Sequence, residues 1–84
     1  LTLMGAYPNP AKDFTNISYT IMEQATVSVN VFDLTGRVIL NSSQPLSAGT
    51  HNIKVSLKDI PAGNYYYTIT TGDARLTSKF VVAK

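Results

Sequence analysis

His51 is the only imidazole in the sequence, and the chain contains no cysteine. A catalytic serine needs a base within hydrogen-bond reach, and a protein-only metal site needs several His, Cys, Asp or Glu ligands. Strand alternation directs His51 toward the core or toward the rim where its strand begins, so we interpret it as a structural residue. The glycines are scattered singly, and no serine lies in a Gly-x-Ser-x-Gly elbow. We therefore predict no enzyme activity, cofactor or metal site.

The five acidic residues do not form a predicted paired-carboxylate site either. Asp33, Asp59 and Asp73 fall where a turn favours aspartate or where a loop is solvated. The stretch from Asp33 to Gly36 differs from the Asp-Thr-Gly of aspartic proteases by the intervening Leu34. It predicts a turn that Asp33 opens and that Gly36 closes with a positive φ.

The 84 residues suffice for one small domain with a single core. Hydrophobic residues make up 44% and charged residues 14%, which predicts a folded chain rather than a disordered one. The net charge of +2 comes without a cluster of cations, which argues against nucleic-acid binding. Because the first residue is Leu1, we expect the chain to be part of a longer protein.

Period-two alternation between Gly, Pro, Asn and Asp residues predicts an all-β chain. Residues 1–6 are expected to be a linker or a first edge strand, and residues 7–84 the domain itself. Two prolines exclude residues 7–10 from a sheet interior, so we expect an extended edge segment there. We predict a polar loop over residues 41–45 and a two-residue hairpin turn at Gly72-Asp73. The predicted inward-facing residues are Ile17, Tyr19, Ile21, Val27, Val29, Val31, Ile53, Val55, Leu57, Tyr65, Tyr67, Ile69, Leu76, Phe80 and Val82.

About seven short strands at regular spacing favour an antiparallel β-sandwich of the immunoglobulin-like or fibronectin-like kind. Gly49 and Gly63 each follow an alanine and introduce a strand. The stretch around Tyr65 is typical of a tyrosine corner, in which a tyrosine hydroxyl bonds to the backbone a few residues upstream. Phe32 and Tyr66 have the outward phase. If they cluster they would suggest a contact surface, but the pairing of their strands is not visible in the sequence, and we favour scattered exposed aromatics that are unrelated to each other.

The excess positive charge lies at the end of the chain. Four cations balance four acids up to Gly72, whereas Arg75, Lys79 and Lys84 then outnumber Asp73. The last strand is thus expected to present cations to solvent around the inward Phe80. Two interpretations stay open, a docking surface and ordinary protection of a sheet edge by lysine.

Five segments together resemble the C-terminal sorting domain, type A, of the type IX secretion system of Bacteroidetes. Each segment is weak alone, but their order and spacing are specific, and they extend over nearly everything from Tyr7 onward. The segments are Tyr7-Pro8-Asn9-Pro10-Ala11 and residues 31–38, 46–51, 57–66 and 79–84.

The resemblance implies a secretion and sorting signal that takes an upstream cargo through the periplasm and the outer membrane to the cell surface or the medium. The implied partners are the cargo, the translocon and a sortase-like protease that then removes the domain. The implied recognition residues are Tyr7, Pro8, Asn9, Pro10, Lys79, Phe80, Val81, Val82, Ala83 and Lys84, and the structural motif residues are Asp33, Gly36, Gly49, Gly63 and Tyr65.

Two other functions stay open. One is an accessory module that binds carbohydrate or protein within a secreted enzyme or adhesin, although no tryptophan is available for a sugar platform. The other is a passive spacer. Because exposed terminal strands can exchange between copies of a chain, a strand-exchanged homodimer also stays open.

Overall fold

The computed structural model describes residues 1–72 and 74–84, and every regular element in those residues is a β-strand. The described part accordingly holds no apolar helix of membrane-spanning length. The strands are β1 (Thr2–Tyr7), β2 (Phe14–Ile21), β3 (Ala25–Asp33), β4 (Val38–Leu46), β5 (Gly49–Ser56), β6 (Gly63–Thr70) and β7 (Arg75–Val82).

The strands form two antiparallel sheets that enclose one core. The smaller sheet has the order β1-β2-β5, and the larger sheet has the order β4-β3-β6-β7. The chain changes sheet between β2 and β3, between β4 and β5, and between β5 and β6. This arrangement confirms the predicted all-β sandwich.

The alternation of the sequence explains the two layers, because alternate residues of a strand point to opposite faces of the sheet. In β2, Ile17 and Tyr19 are buried while their neighbours are partly exposed, and Val29 and Val31 repeat the pattern in β3. Tyr67 and Phe80 are the largest fully buried side chains. The centroids of their rings lie 6.3 Å apart, and both side chains enter the core from the larger sheet.

The prediction of a polar loop over residues 41–45 is wrong. Those residues belong to β4, which pairs with β3 from Leu46 opposite Ala25 to Val38 opposite Phe32. β4 is an edge strand with much of its surface in water, so polar side chains replace the alternating pattern. Pro45 is tolerated because an edge strand has one side without a partner strand.

Two further predictions about the chain's path need correction. The sequence pattern predicts that Leu76 faces the core, but its side chain is 38% exposed. β7 is the edge strand of the larger sheet, and the facing sheet has one strand fewer, so it covers this edge less completely. Residues 8–10 form a bend rather than an extended segment, since the chain leaves β1 and crosses toward β7 before it enters β2. The predicted turn at Gly72-Asp73 includes Asp73, which lies outside the described residues.

Candidate functional site

The single histidine has a structural environment. His51 Nε2 lies 2.7 Å from the Ser47 carbonyl oxygen, and its ring packs near Tyr19 at 6.1 Å between centroids. Burial raises the pKa of the Tyr19 hydroxyl. Within the described residues, no three His, Asp or Glu side chains are grouped as metal ligands would be.

Asp33 organises the turn between β3 and β4. Its Oδ1 accepts hydrogen bonds from the Thr35 hydroxyl at 2.6 Å, the Thr35 N–H at 2.9 Å and the Arg37 N–H at 3.0 Å. The Thr35 hydroxyl is the main reason that the pKa of Asp33 lies below its ordinary value, and the nearby Arg37 guanidinium contributes. Gly36 has a φ of 88°, a conformation that side-chain-bearing residues rarely adopt, so glycine closes the turn.

Tyr65 fixes the entry to β6 from the preceding loop. Its hydroxyl donates to the Pro61 carbonyl oxygen at 2.6 Å, the arrangement of a tyrosine corner. Its ring stacks on Phe80 of β7, with 5.8 Å between centroids and 22° between the ring planes. The corner therefore packs directly on the closing segment of the chain.

The opening and closing motifs meet in space. Asn9 Oδ1 accepts a hydrogen bond from the Val81 N–H at 2.9 Å, although the two residues are 72 positions apart. Ala11 forms a parallel bridge with Val82, in which the Ala11 N–H donates to the Val81 carbonyl and the Ala83 N–H donates to the Ala11 carbonyl, both at 2.8 Å. We call residues 8–11 the clip, because they hold the end of β7 from its outer side.

Two hydrogen bonds attach the clip and the residues that follow it to the rest of the domain. The Thr15 hydroxyl donates to the Pro8 carbonyl oxygen at 2.9 Å, and the Leu57 N–H donates to the Asp13 carbonyl oxygen at 2.9 Å. The peptide bonds before Pro8 and Pro10 are both cis. Thr15 is fully buried on the inward phase of β2, and a polar residue among inward apolar ones was the signal in the sequence that could have identified this support.

The closing segment, residues 79–84, divides between core and surface. Phe80 and Val82 are buried, whereas Lys79 is exposed on the opposite face of β7. Lys84 is tied back to the domain, since its Nζ donates to the Leu57 carbonyl at 2.5 Å and to the Lys58 carbonyl at 3.3 Å. The cations of the last strand thus differ in role, and Lys79 is the one that the closing segment displays to solvent.

The clip occupies only the last part of the outer edge of β7. Backbone groups along a strand point alternately to its two sides, so the N–H and C=O of Lys79 and Thr77 point the same way as those of Val81. Val81 forms hydrogen bonds with the clip. On the same side of β7, no backbone group of the described residues forms a hydrogen bond with the backbone of Lys79 or Thr77. This length of β7 is an open strand edge next to the clip.

The structure brings together most, but not all, of the predicted site residues. Asn9 lies against the closing segment, and Gly63 pairs with Val82 across the two last strands. Tyr7, in contrast, is 80% exposed, and Asp33 and Gly49 serve connections elsewhere in the domain. Nothing in the sequence indicates that the carbonyl oxygens of Leu57 and Lys58 accept hydrogen bonds from Lys84.

Phe32 and Tyr66 are neighbours rather than unrelated aromatics. They are direct cross-strand partners on the outer face of the larger sheet, and their rings stack at 6.0 Å with 21° between planes. The next partner of Tyr66 along the same row is Lys79. The displayed lysine of the closing segment therefore borders an aromatic pair.

Comparison with known proteins gives one family. Residues 5–83 match the family described as "secretion system C-terminal sorting domain", a match that begins within β1 and ends just after β7. The matched range contains both the clip and almost all of the closing segment. No curated protein matches the chain.

Proposed function

Because the chain belongs to the secretion system C-terminal sorting domain family, as its resemblance to type IX sorting domains predicted, we propose that it is the element by which the type IX translocon selects an attached upstream cargo. The family is a class of sorting signals, not a class of enzymes. A type IX signal implies export to the cell surface or the extracellular space. The partners in our proposal are the translocon, the cargo in the same chain and a sortase-like protease.

The main support for this proposal is that the opening and closing motifs form a single surface. Asn9 and Ala11 make three hydrogen bonds with residues 81 and 83, and buried Phe80 and Val82 hold the same segment from the other side. A receptor that recognises residues 79–84 therefore meets them as part of a folded sandwich. In our proposal the translocon recognises a folded surface and not a linear peptide.

The open edge of β7 supports a mode of recognition. Strand addition uses unpaired backbone N–H and C=O groups on an exposed edge, and Thr77 and Lys79 supply such groups beside the clip. Charge contacts at Lys79 would add to them. We propose that a strand of the translocon pairs with this edge of β7 at Thr77 and Lys79, next to the clip.

Export of a reporter tests the sorting function. The chain is fused behind a reporter in a host with a type IX system, and extracellular reporter is measured against a fusion that lacks residues 80–84. We expect export only with the complete chain, and thermal melting of both fusions separates a lost signal from a lost fold. Retention of the reporter in the periplasm, with the complete chain folded, refutes the proposal.

A matched pair of substitutions tests strand addition separately. Thr77→Pro removes the outward N–H that a partner strand would use, which an edge position tolerates, whereas Thr77→Val keeps the N–H and loses only the hydroxyl bond to Thr68. We expect Thr77→Pro to lower export and Thr77→Val to preserve it. Equal export by two folded variants would exclude strand addition at this edge.

Removal of the domain after export is the last part of the proposal. β1 is a strand of the smaller sheet, and Leu1, Leu3 and Ala6 pack against the core, which supports the edge-strand alternative for residues 1–6 over the linker. We propose that the protease cuts ahead of Thr2. Mass spectrometry of the exported reporter should then find its last residue before position 2, whereas a cut within β1 would contradict this boundary.

A strand-exchanged homodimer stays a prediction. Exchange of β7 would break the clip's three hydrogen bonds in each copy and remake them between copies. Size-exclusion chromatography over a range of concentrations tests whether such a dimer forms.

A further inference from the structure

A row of four side chains crosses the outer face of the larger sheet. Cross-strand pairing places Val38 beside Phe32, Phe32 beside Tyr66, and Tyr66 beside Lys79. Their chain neighbours Val31, Tyr67 and Phe80 are buried, so the row itself faces outward. We call these four residues the aromatic row; it runs from an edge valine that is 55% exposed to the lysine of the closing segment.

The outward residues next to the stacked rings carry no charge and are mostly polar. Asn30 and the almost fully buried Thr68 lie on one side of the rings, and Asn64 lies on the other, with Val81 beside it. An apolar centre within a polar rim is the usual anatomy of a protein interface. Aromatic side chains at such a centre contribute most of the binding energy in many complexes.

The charges on this face have one sign. The outward positions of β3, β4, β6 and β7 include Lys79 and Arg75 but no Asp or Glu among the described residues. No carboxylate in the described part of the chain forms an ion pair with Lys79. A partner that supplies a carboxylate at the Lys79 end of the row would complement this surface.

On the opposite face of the domain, a similar aromatic side chain and lysine contact each other within the chain. Phe14 and Lys54 also combine an outward aromatic ring with a lysine, but the Lys54 Nζ lies 4.7 Å from the Phe14 ring centroid and covers it. This cation–π contact occupies both groups within the chain. In the aromatic row the two rings stack on each other, and Lys79 stands at the end of the row.

We propose that the aromatic row is a docking surface for a protein of the export machinery, whose contact surface places carboxylates beside exposed apolar side chains. The inference rests on the proposed sorting function and adds the chemistry of its partner. The row is continuous with the open edge of β7, because Lys79 belongs to both. A partner strand added at that edge would extend the sheet next to Tyr66 and bring its own side chains alongside the row.

Export of the reporter fusion also tests this inference. The double variant Tyr66→Thr/Lys79→Glu should lower the rate of export at least about tenfold, because loss of a buried aromatic anchor and reversal of a paired charge each weaken an interface strongly. Phe14→Thr/Lys54→Glu is the matched control, with the same changes on the other face. It should export within about twofold of the unchanged chain. Both variants must melt as cooperatively as the unchanged chain.

A charge series and a cross-link identify the partner's chemistry. Export should be retained in Lys79→Arg, reduced in Lys79→Gln and reduced further in Lys79→Glu. A photoreactive phenylalanine analogue at position 32 should give a protein adduct during export that Lys79→Glu abolishes, and the same analogue at position 14 should give none.

Several results would overturn the inference. One is normal export by a folded Tyr66→Thr/Lys79→Glu variant, and another is equal export across the charge series. Adducts with lipid in place of protein, or binding of phosphatidylglycerol vesicles that falls in parallel with export, would assign the row to a membrane. Binding to a glycan array that Tyr66→Thr abolishes would assign it to carbohydrate. Failure of the unchanged chain to export is a different result, which refutes the sorting function itself.

Discussion

Replacement of Phe80 by alanine shows how strongly the closing segment depends on the fold. The Phe80 side chain is fully buried and contacts the rings of Tyr65 and Tyr67, with centroids 5.8 and 6.3 Å away. Truncation of a buried phenylalanine to alanine typically costs about 3–5 kcal/mol through lost burial and the remaining cavity. A domain of this size has a free energy of unfolding of about 4–13 kcal/mol in total. The substitution should therefore remove a large part of the stability.

Urea denaturation measures this effect. With an m-value of about 1.2 kcal/mol/M, typical of a small domain, the midpoint should fall by about 2.5–4 M. Lys79→Ala, one position earlier but exposed, should change the free energy of unfolding by less than about 0.5 kcal/mol. In the reporter fusion, the loss of export by Phe80→Ala should follow the unfolded fraction and recover at lower temperature.

Two outcomes would contradict this reasoning. If Phe80→Ala lowers the stability by less than about 1 kcal/mol, Phe80 is not a core residue of the kind described. If Phe80→Ala remains folded under the conditions of the assay and still abolishes export, residues 79–84 are recognised by their side chains directly. The signal would then be a linear peptide rather than a folded surface.

Three further predictions concern single contacts. Tyr67→Phe should not lower the melting temperature, because no group in the described part of the chain bonds to the buried Tyr67 hydroxyl, and a loss of more than about 1 kcal/mol would reveal a partner for it. Asn9→Ala should cost about 0.5–1.5 kcal/mol and speed hydrogen exchange at the Val81 amide, whereas unchanged exchange would mean that Asn9 does not protect that amide. Asp33 has a lowered pKa, so its contribution to stability is present above the unfolded pKa of about 3.9 and is lost as pH falls through the folded value. Asp33→Asn should therefore show a smaller fall in melting temperature between about pH 5 and pH 2, and an identical fall would exclude Asp33 as the titrating group.

Local patterns in the sequence predicted the parts of the fold that depend on local geometry. The buried face of β2 followed from alternation, because a strand with one wet face must place Ile17 and Tyr19 on the same side. Residues 41–46 of β4 could not be recognised in the same way. An edge strand is largely hydrated on both faces, so residues 41–45 carry polar side chains that resemble those of a loop.

The proposed recognition surface was predictable as two separate motifs but not as one site. Nothing in the composition of Asn9 or Val81 shows that their atoms are 2.9 Å apart, since that contact depends on how the two sheets pack. The stacking of Phe32 on Tyr66 was missed for a related reason. Outward phase is visible in the sequence, but the pairing of β3 with β6 depends on a crossover through two other strands.

The bond between Asn9 and Val81 also bears on how the cell treats unfinished proteins. Ribosomes make the acceptor first and the donor 72 residues later. A product released before residue 80 lacks the donor and two of the deepest side chains of the core, Phe80 and Val82. Under the proposed function, translation products that stop before the last strand of the domain cannot be addressed for export, so export also reports that synthesis has passed through that strand.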